Sequence, residues 1–114
     1  MTTVGLAVLD DHRCLEVRIL TDLTVRNAAR IRKGILSNWE ERGRPGPLIL
    51  DLAGAQRIDS SGVSTLLEIW HRTEDAGVAL VVSGLREGSR RMLQRTGFGE
   101  LFQIAGTGAI APSA

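Results

Sequence analysis

Leu48-Ile49-Leu50-Asp51-Leu52, followed by Ile58-Asp59-Ser60-Ser61-Gly62-Val63 and then Leu66-Leu67 and Trp70, is the run whose reading decides the fold. The first five residues are short, almost wholly apolar and preceded by turn residues. That pattern predicts a central strand buried on both faces. Val63, Leu66, Leu67 and Trp70 recur at i, i+3, i+4 and i+7, the apolar stripe of a helix that opens near Ser60. Gly77 stands just past the end of that stripe and is its predicted stop. Between strand and helix lies Asp59-Ser60-Ser61, whose side-chain oxygens can accept from the unpaired N–H groups of a first helical turn. Taken alone, these three residues read as a helix cap and nothing more.

The chain on either side repeats the alternation. Val78-Ala79-Leu80-Val81-Val82 predicts a second buried strand. Glu87 to Thr96 predicts a short helix with Met92 and Leu93 inward and Gly97 as its stop, and Leu101 to Ile104 a last short strand. Upstream, Val4 to Leu9 and Cys14 to Leu20 flank Asp10-Asp11-His12 and predict a hairpin, with Cys14 pointing into the sheet as a small apolar residue. Asp22 or Thr24 then caps a helix whose inward face is Val25, Ala28, Ala29, Ile31, Ile35, Leu36 and Trp39. Arg42-Gly43-Arg44-Pro45-Gly46-Pro47 ends it, since two prolines and two glycines forbid a continuing helix. A hairpin followed by helix–strand alternation predicts a single α/β domain over residues 4–104 with a mixed sheet packed with helices. Residues 105–114 have no apolar face to bury and are predicted to be a flexible tail.

Composition excludes several function classes. With 114 residues the chain is one domain, large enough to bury a core without disulfides or metal. Its one cysteine excludes an internal disulfide and a cysteine-rich zinc site, and His12 and His71 have no ligand partner at suitable spacing. Fourteen basic against thirteen acidic residues leave a net charge of +1, which gives no electrostatic reason to expect nucleic acid. No apolar run reaches the roughly 20 residues of a membrane helix, and the N-terminus lacks the pattern of a signal peptide. The expectation is a cytoplasmic protein without membrane insertion or cofactor. No phosphate-cradling glycine loop is present. A Ser60–His71–Asp51 triad fails because His71 would lie about 16 Å along the helix from Ser60, against the roughly 3 Å a base requires.

The order of these motifs, closing on Arg90-Arg91-Met92-Leu93, Thr96-Gly97 and Leu101-Phe102, resembles the STAS domain family and, within it, the bacterial anti-sigma factor antagonists. The resemblance is strong from about Leu48 to Ile104 and weaker over Cys14 to Trp39. It implies a protein–protein switch, not an enzyme. The unphosphorylated antagonist binds an anti-sigma factor that has GHKL-type serine kinase activity, and so frees a sigma factor; the kinase phosphorylates the antagonist, and a PP2C-type phosphatase resets it. The implied phosphoacceptor is Ser60. Asp22, Thr24, Asp59, Ser60, Ser61, Gly62, Arg86 and Arg90 are the implied partner-binding residues, with Ser61 as the helix cap and Gly62 keeping bulk away from an approaching partner. Thr24, within Thr21-Asp22-Leu23-Thr24, stands where the family usually has an aspartate. Many members also end in a further amphipathic helix, for which the tail here lacks apolar spacing. Two alternative readings are an accessory STAS subunit of an ABC-type lipid transporter and a scaffold component of a stress-sensing complex.

Overall fold

A computed structural model describes residues 5–10 and 14–97, and the backbone of residues 103–105. The expectations for Val4, for Leu101 and Phe102, and for residues 106–114 lie outside the described residues. The elements run β1 (Leu6–Asp10), β2 (Leu15–Ile19), α1 (Ala28–Glu41), β3 (Leu48–Asp51), α2 (Ser60–Asp75), β4 (Leu80–Ser83), α3 (Glu87–Thr96) and β5 (Gln103–Ala105). The five strands form one sheet in sequential order. β1 is antiparallel to β2, in a register that pairs Val8 with Val17. β2, β3, β4 and β5 are mutually parallel, with Val17 opposite Leu50 and Leu50 opposite Val82. The predicted α/β domain with a mixed sheet is the observed architecture.

Strand order explains where the helices go. A crossover between parallel neighbours is right-handed, so crossovers that always step the same way along the sheet lay their helices on the same face. Burial agrees. Leu15, Val17, Ile19, Leu48, Leu50, Leu80 and Val82 are all buried, whereas Glu16, Ile49, Asp51, Val81 and Ser83, which alternate with them, are only half-buried. The expectation that β3 is buried on both faces is therefore corrected: one face is the core, and the other carries charge, with Arg18 Nε 3.1 Å from Glu16 and 3.8 Å from Asp51.

The helices supply the other half of the core. α1 buries Ala28, Ile31, Gly34, Ile35, Leu36 and Trp39. Trp39, 1% exposed, satisfies its indole N–H on the Pro45 carbonyl at 2.9 Å, so this large side chain enters the core without an orphaned donor. α2 buries Val63, Leu66 and Ile69, while Leu67 and Trp70 of the predicted stripe are half-buried. Arg32–Glu68 (2.6 Å) and Arg72–Glu40 (3.6 Å) join the outer surfaces of α1 and α2; exposed pairs of this kind contribute about 0–1 kcal/mol each. Among the described residues, no helix is long and apolar enough to cross a membrane.

α1 starts later than expected. Its N-cap is Asn27, and Val25 is 74% exposed instead of heading the apolar stripe. The cause lies in the segment before it. Thr24 C=O accepts from both Asn27 N–H and Ala28 N–H, while the Asn27 side chain turns back to accept from Thr24 N–H and donate to Asp22 C=O. This closed turn occupies Val25 to Asn27 and runs directly into the helix at Ala28. Thr24 caps this turn and not the helix proper, its Oγ1 accepting from Arg26 N–H at 3.4 Å, while the Asp22 side chain makes no bond to α1 among the described residues.

The one-sided sheet makes a checkable contrast. Leu50→Ala should lower unfolding stability by about 2–5 kcal/mol in a urea titration. Ile49→Ala, on the half-covered face of the same strand, should cost clearly less.

Candidate functional site

The site is built where two loops leave the same end of the sheet. β2 and β3 are parallel, so the segments after them, residues 20–27 and 52–59, emerge side by side at the carboxyl ends of the strands, the usual place for a site in an open α/β sheet. Backbone and side chain lace them together. Leu23 N–H donates to Arg57 C=O (2.9 Å), Asp59 N–H donates to Leu23 C=O (3.2 Å), and Leu23 pairs with Ile58 as an isolated parallel bridge. Asp22 Oδ1 accepts from Gln56 N–H (2.9 Å) and Arg57 N–H (3.0 Å). Asp22 thus holds the second loop in place through two backbone amides.

Asp59 closes the arrangement. It is the N-cap of α2, in extended geometry, with Oδ1 accepting from Gly62 N–H at 3.0 Å. Its other oxygen accepts from Val25 N–H at 3.0 Å, across 34 positions of sequence. One carboxylate therefore caps α2 and ties down the loop before α1. The Val25 N–H is the largest influence holding the Asp59 carboxyl below its ordinary pKa of 3.8, followed among the favourable ones by Gly62 N–H, with partial desolvation opposing. Asp59, and not Ser61, is the residue that caps the helix.

Ser60 follows as the first residue of α2 and is exposed, whereas Ser61 is half-buried. Among the described residues neither hydroxyl has a hydrogen-bond partner. Ser60 thus presents an unengaged hydroxyl to solvent at the positive end of a helix of 16 residues. Gly62 is buried, and the reason for a glycine there is internal. A Cβ at position 62 would run into the Leu23 carbonyl oxygen and lie 2.8 Å from Ile58 Cγ2. The bulk it excludes would strike its own chain, not a partner. Gly84 has a related constraint: with φ of +74° it passes so close to β3 that a Cβ would sit 2.6 Å from Asp51 Oδ1.

Beside this cap lies an open groove of about 700 Å3, walled by Thr24, by Arg57 to Asp59, by Arg86 at the N-cap of α3, and by the α3 residues Ser89, Met92 and Arg95. Of the arginines singled out in the sequence, Arg86 lines it. Arg90 does not; it is half-buried, and its Nε is shut from solvent without a hydrogen-bond partner among the described residues. Arg91 is ion-paired with Glu87 at 3.2 Å. Sequence reasoning missed Arg57, which stands outside the motif by one residue, and Val25, whose N–H grips Asp59 although its side chain carries no polar signal. His71 is exposed and packs edge-on against Trp70 at 4.9 Å between ring centroids, and Asp51 accepts from Ala53 N–H. The described residues contain no group of three metal-ligating side chains.

The model of the STAS domain family matches residues 6–111. In fold, the protein is similar to a Thermotoga maritima protein described as an anti-sigma factor antagonist, with a TM-score of 0.82 and 16% identity over 92% of this chain and 88% of that one. It is also similar to the anti-sigma factor antagonist SpoIIAA in its unphosphorylated form, with a TM-score of 0.66 and 18% identity over 92% and 89%. A third likeness is to the murine solute carrier 26 family member A9 anion transporter, with a TM-score of 0.73 and 17% identity, covering 84% of this chain but 16% of the transporter.

The Asp59 bridge has a pH signature. Its folded-state pKa is lowered, so the stability it confers is present above the ordinary value of 3.8 and is lost as pH falls through the lower folded value. Asp59→Asn should be less stable than the parent near neutral pH, with the gap closing in acid. Thermal unfolding of both proteins between about pH 7 and pH 2 reads this directly. Gly62→Ala should destabilise at all pH values, because the clash with Leu23 is steric.

Proposed function

The chain belongs to the STAS domain family, and on that premise we propose that it is an anti-sigma factor antagonist working by partner switching, with Ser60 as its phosphoacceptor. The observation that carries the reading is the exposed, unengaged Ser60 hydroxyl fixed at the first position of α2. A kinase needs a hydroxyl that is accessible and held in one place. The Asp59 cap and the Gly62–Leu23 contact supply the second condition, and its exposure, with no hydrogen bond to the hydroxyl among the described residues, supplies the first.

The partner is an anti-sigma factor with GHKL-type serine kinase activity. It docks on the unmodified helix start, and a sigma factor is released. Transfer of the terminal phosphoryl group of ATP to Ser60 Oγ then adds about −1.5 to −2 charge at the centre of that interface. Moving such a charge out of water costs several kcal/mol unless a cation on the partner meets it, which is enough to separate the two proteins. A PP2C-type phosphatase restores the hydroxyl. The protein acts as a binding surface throughout, and catalysis belongs to its partners. The fold likeness to part of an anion transporter keeps a transport role as the second reading, in the form of a STAS subunit bound to a transport ATPase such as that of an ABC-type lipid transporter.

Ser60→Ala and Ser60→Asp, used as baits with identification of bound proteins by mass spectrometry, separate these readings. A GHKL-type ATPase held by Ser60→Ala and released by Ser60→Asp, with affinity reduced well over tenfold, is the expected result. A transport ATPase held equally by both variants would replace partner switching with the second reading.

A further inference from the structure

The groove beside the α2 cap has an unusual charge arrangement. Six arginines elsewhere on the surface, at positions 18, 32, 42, 44, 72 and 91, each have a carboxylate within ion-pair distance. Arg57, Arg86 and Arg95 have none among the described residues and line the same groove; Arg26 and Arg90 have none either and lie outside it. They come from separate places: Arg57 from the loop before α2, Arg86 from the cap of α3 and Arg95 from its last turn. The carboxylate of Asp59 at the groove's edge makes no ion pair with them, its oxygens accepting from backbone N–H groups, and its single charge offsets only part of theirs. Ile58 and Met92, both half-buried and packed against the core, add apolar surface to the lining. In a chain of net charge +1, three guanidiniums without carboxylate partners in one groove amount to a local field of positive sign.

We propose that this groove docks an acidic segment of the partner protein, carboxylates pairing with Arg57, Arg86 and Arg95 and an apolar side chain meeting Ile58 and Met92. The proposal rests on the partner-switching reading and names the chemistry of the partner that it requires. Guanidinium forks suit carboxylates, which they can grip through paired hydrogen bonds. Nucleic acid is the poorer occupant, since among the described residues no aromatic side chain lines the groove to stack a base and the chain has almost no net positive charge. The position of the groove gives phosphorylation a second effect. A phosphate on Ser60, one residue beyond the Asp59 edge, lowers the positive potential that holds the acidic segment. Release then follows from weakened attraction at the groove as well as from the charge buried at Ser60.

Nitrogen-15 NMR of the full chain tests this with two synthetic probes, an acidic peptide of Glu, Asp and Leu and its uncharged counterpart of Gln, Asn and Leu. With the acidic peptide, shifts should move at Gln56 to Asp59 and at Gly88 to Arg95, and affinity should fall about tenfold between 0.05 and 0.5 M salt. The combined variant Arg57→Gln, Arg86→Gln and Arg95→Gln should lose roughly tenfold or more in affinity while its unperturbed spectrum reports an intact fold. Ser60→Glu should weaken binding measurably. Equal binding of the uncharged peptide, shifts centred elsewhere, or no shift at millimolar peptide would overturn the proposal; unchanged affinity in Ser60→Glu would overturn the effect assigned to phosphate. Mass spectrometry of Ser60 in the native chain keeps the two readings apart. A phosphorylated Ser60 with no docking removes the groove alone, and docking with a Ser60 never phosphorylated removes the switch and leaves the groove standing.

Discussion

One carboxylate, that of Asp59, holds together the two loops that build the candidate site. A helix cap usually satisfies a local need: an orphaned N–H in the first turn finds an oxygen three residues back. Here the second oxygen of the cap reaches Val25, 34 positions away, and so converts a local motif into a tertiary clamp. Asp22 does the reciprocal work, standing in the first loop and gripping two amides of the second. Between them the Leu23–Ile58 bridge extends the parallel pairing of β2 and β3 past the ends of the strands. The loops are therefore continuations of the sheet more than free connections. That is why the helix start keeps one geometry although it lies at the surface.

The close approach of these loops also fixes what residues can occupy them. Gly62 is a glycine because the Leu23 carbonyl is already where a side chain would go, and Leu23 is there because its own N–H and C=O are bonded to Arg57 and Asp59. Each of these choices presupposes the others. A chain in which Asp59, Gly62 and Leu23 are each the right residue is consistent at the level of cap, backbone contact and core, since Leu23 itself is fully buried.

Elements with strong local signals were legible in the sequence. α3 spans Glu87 to Thr96 as its spacing and its Gly97 stop predict, with Gly97 in the left-handed conformation such a stop requires. The hairpin, the end of α1 before Gly43 and the opening of α2 at Ser60 follow likewise from turn and cap chemistry. What local pattern could not show depended on partners distant in sequence. Val25 has helical spacing to Ala28, but it lies in the turn ahead of α1, exposed, with its N–H on Asp59. Ile49 is apolar in an apolar run, yet which face of β3 the helices cover is set by the strand order of the whole sheet. Ser61 and Asp59 are both good caps, and only the backbone geometry at Asp59 decides between them. Arg57 belongs to the groove through the folding of α3 against its loop, a relation with no trace in spacing.

The clamp at the start of α2 has a consequence for how the proposed mark on Ser60 would be read. Both oxygens of Asp59 are in use and position 62 has no room, so a mark placed at the exposed residue between them finds a surface with little freedom to rearrange around it. A mark on such a surface would be read by what touches it and not as a change of shape elsewhere in the molecule. Readers, writers and erasers of the mark would then have to take turns at one small patch, and the sequence of events in time would be set by their mutual exclusion.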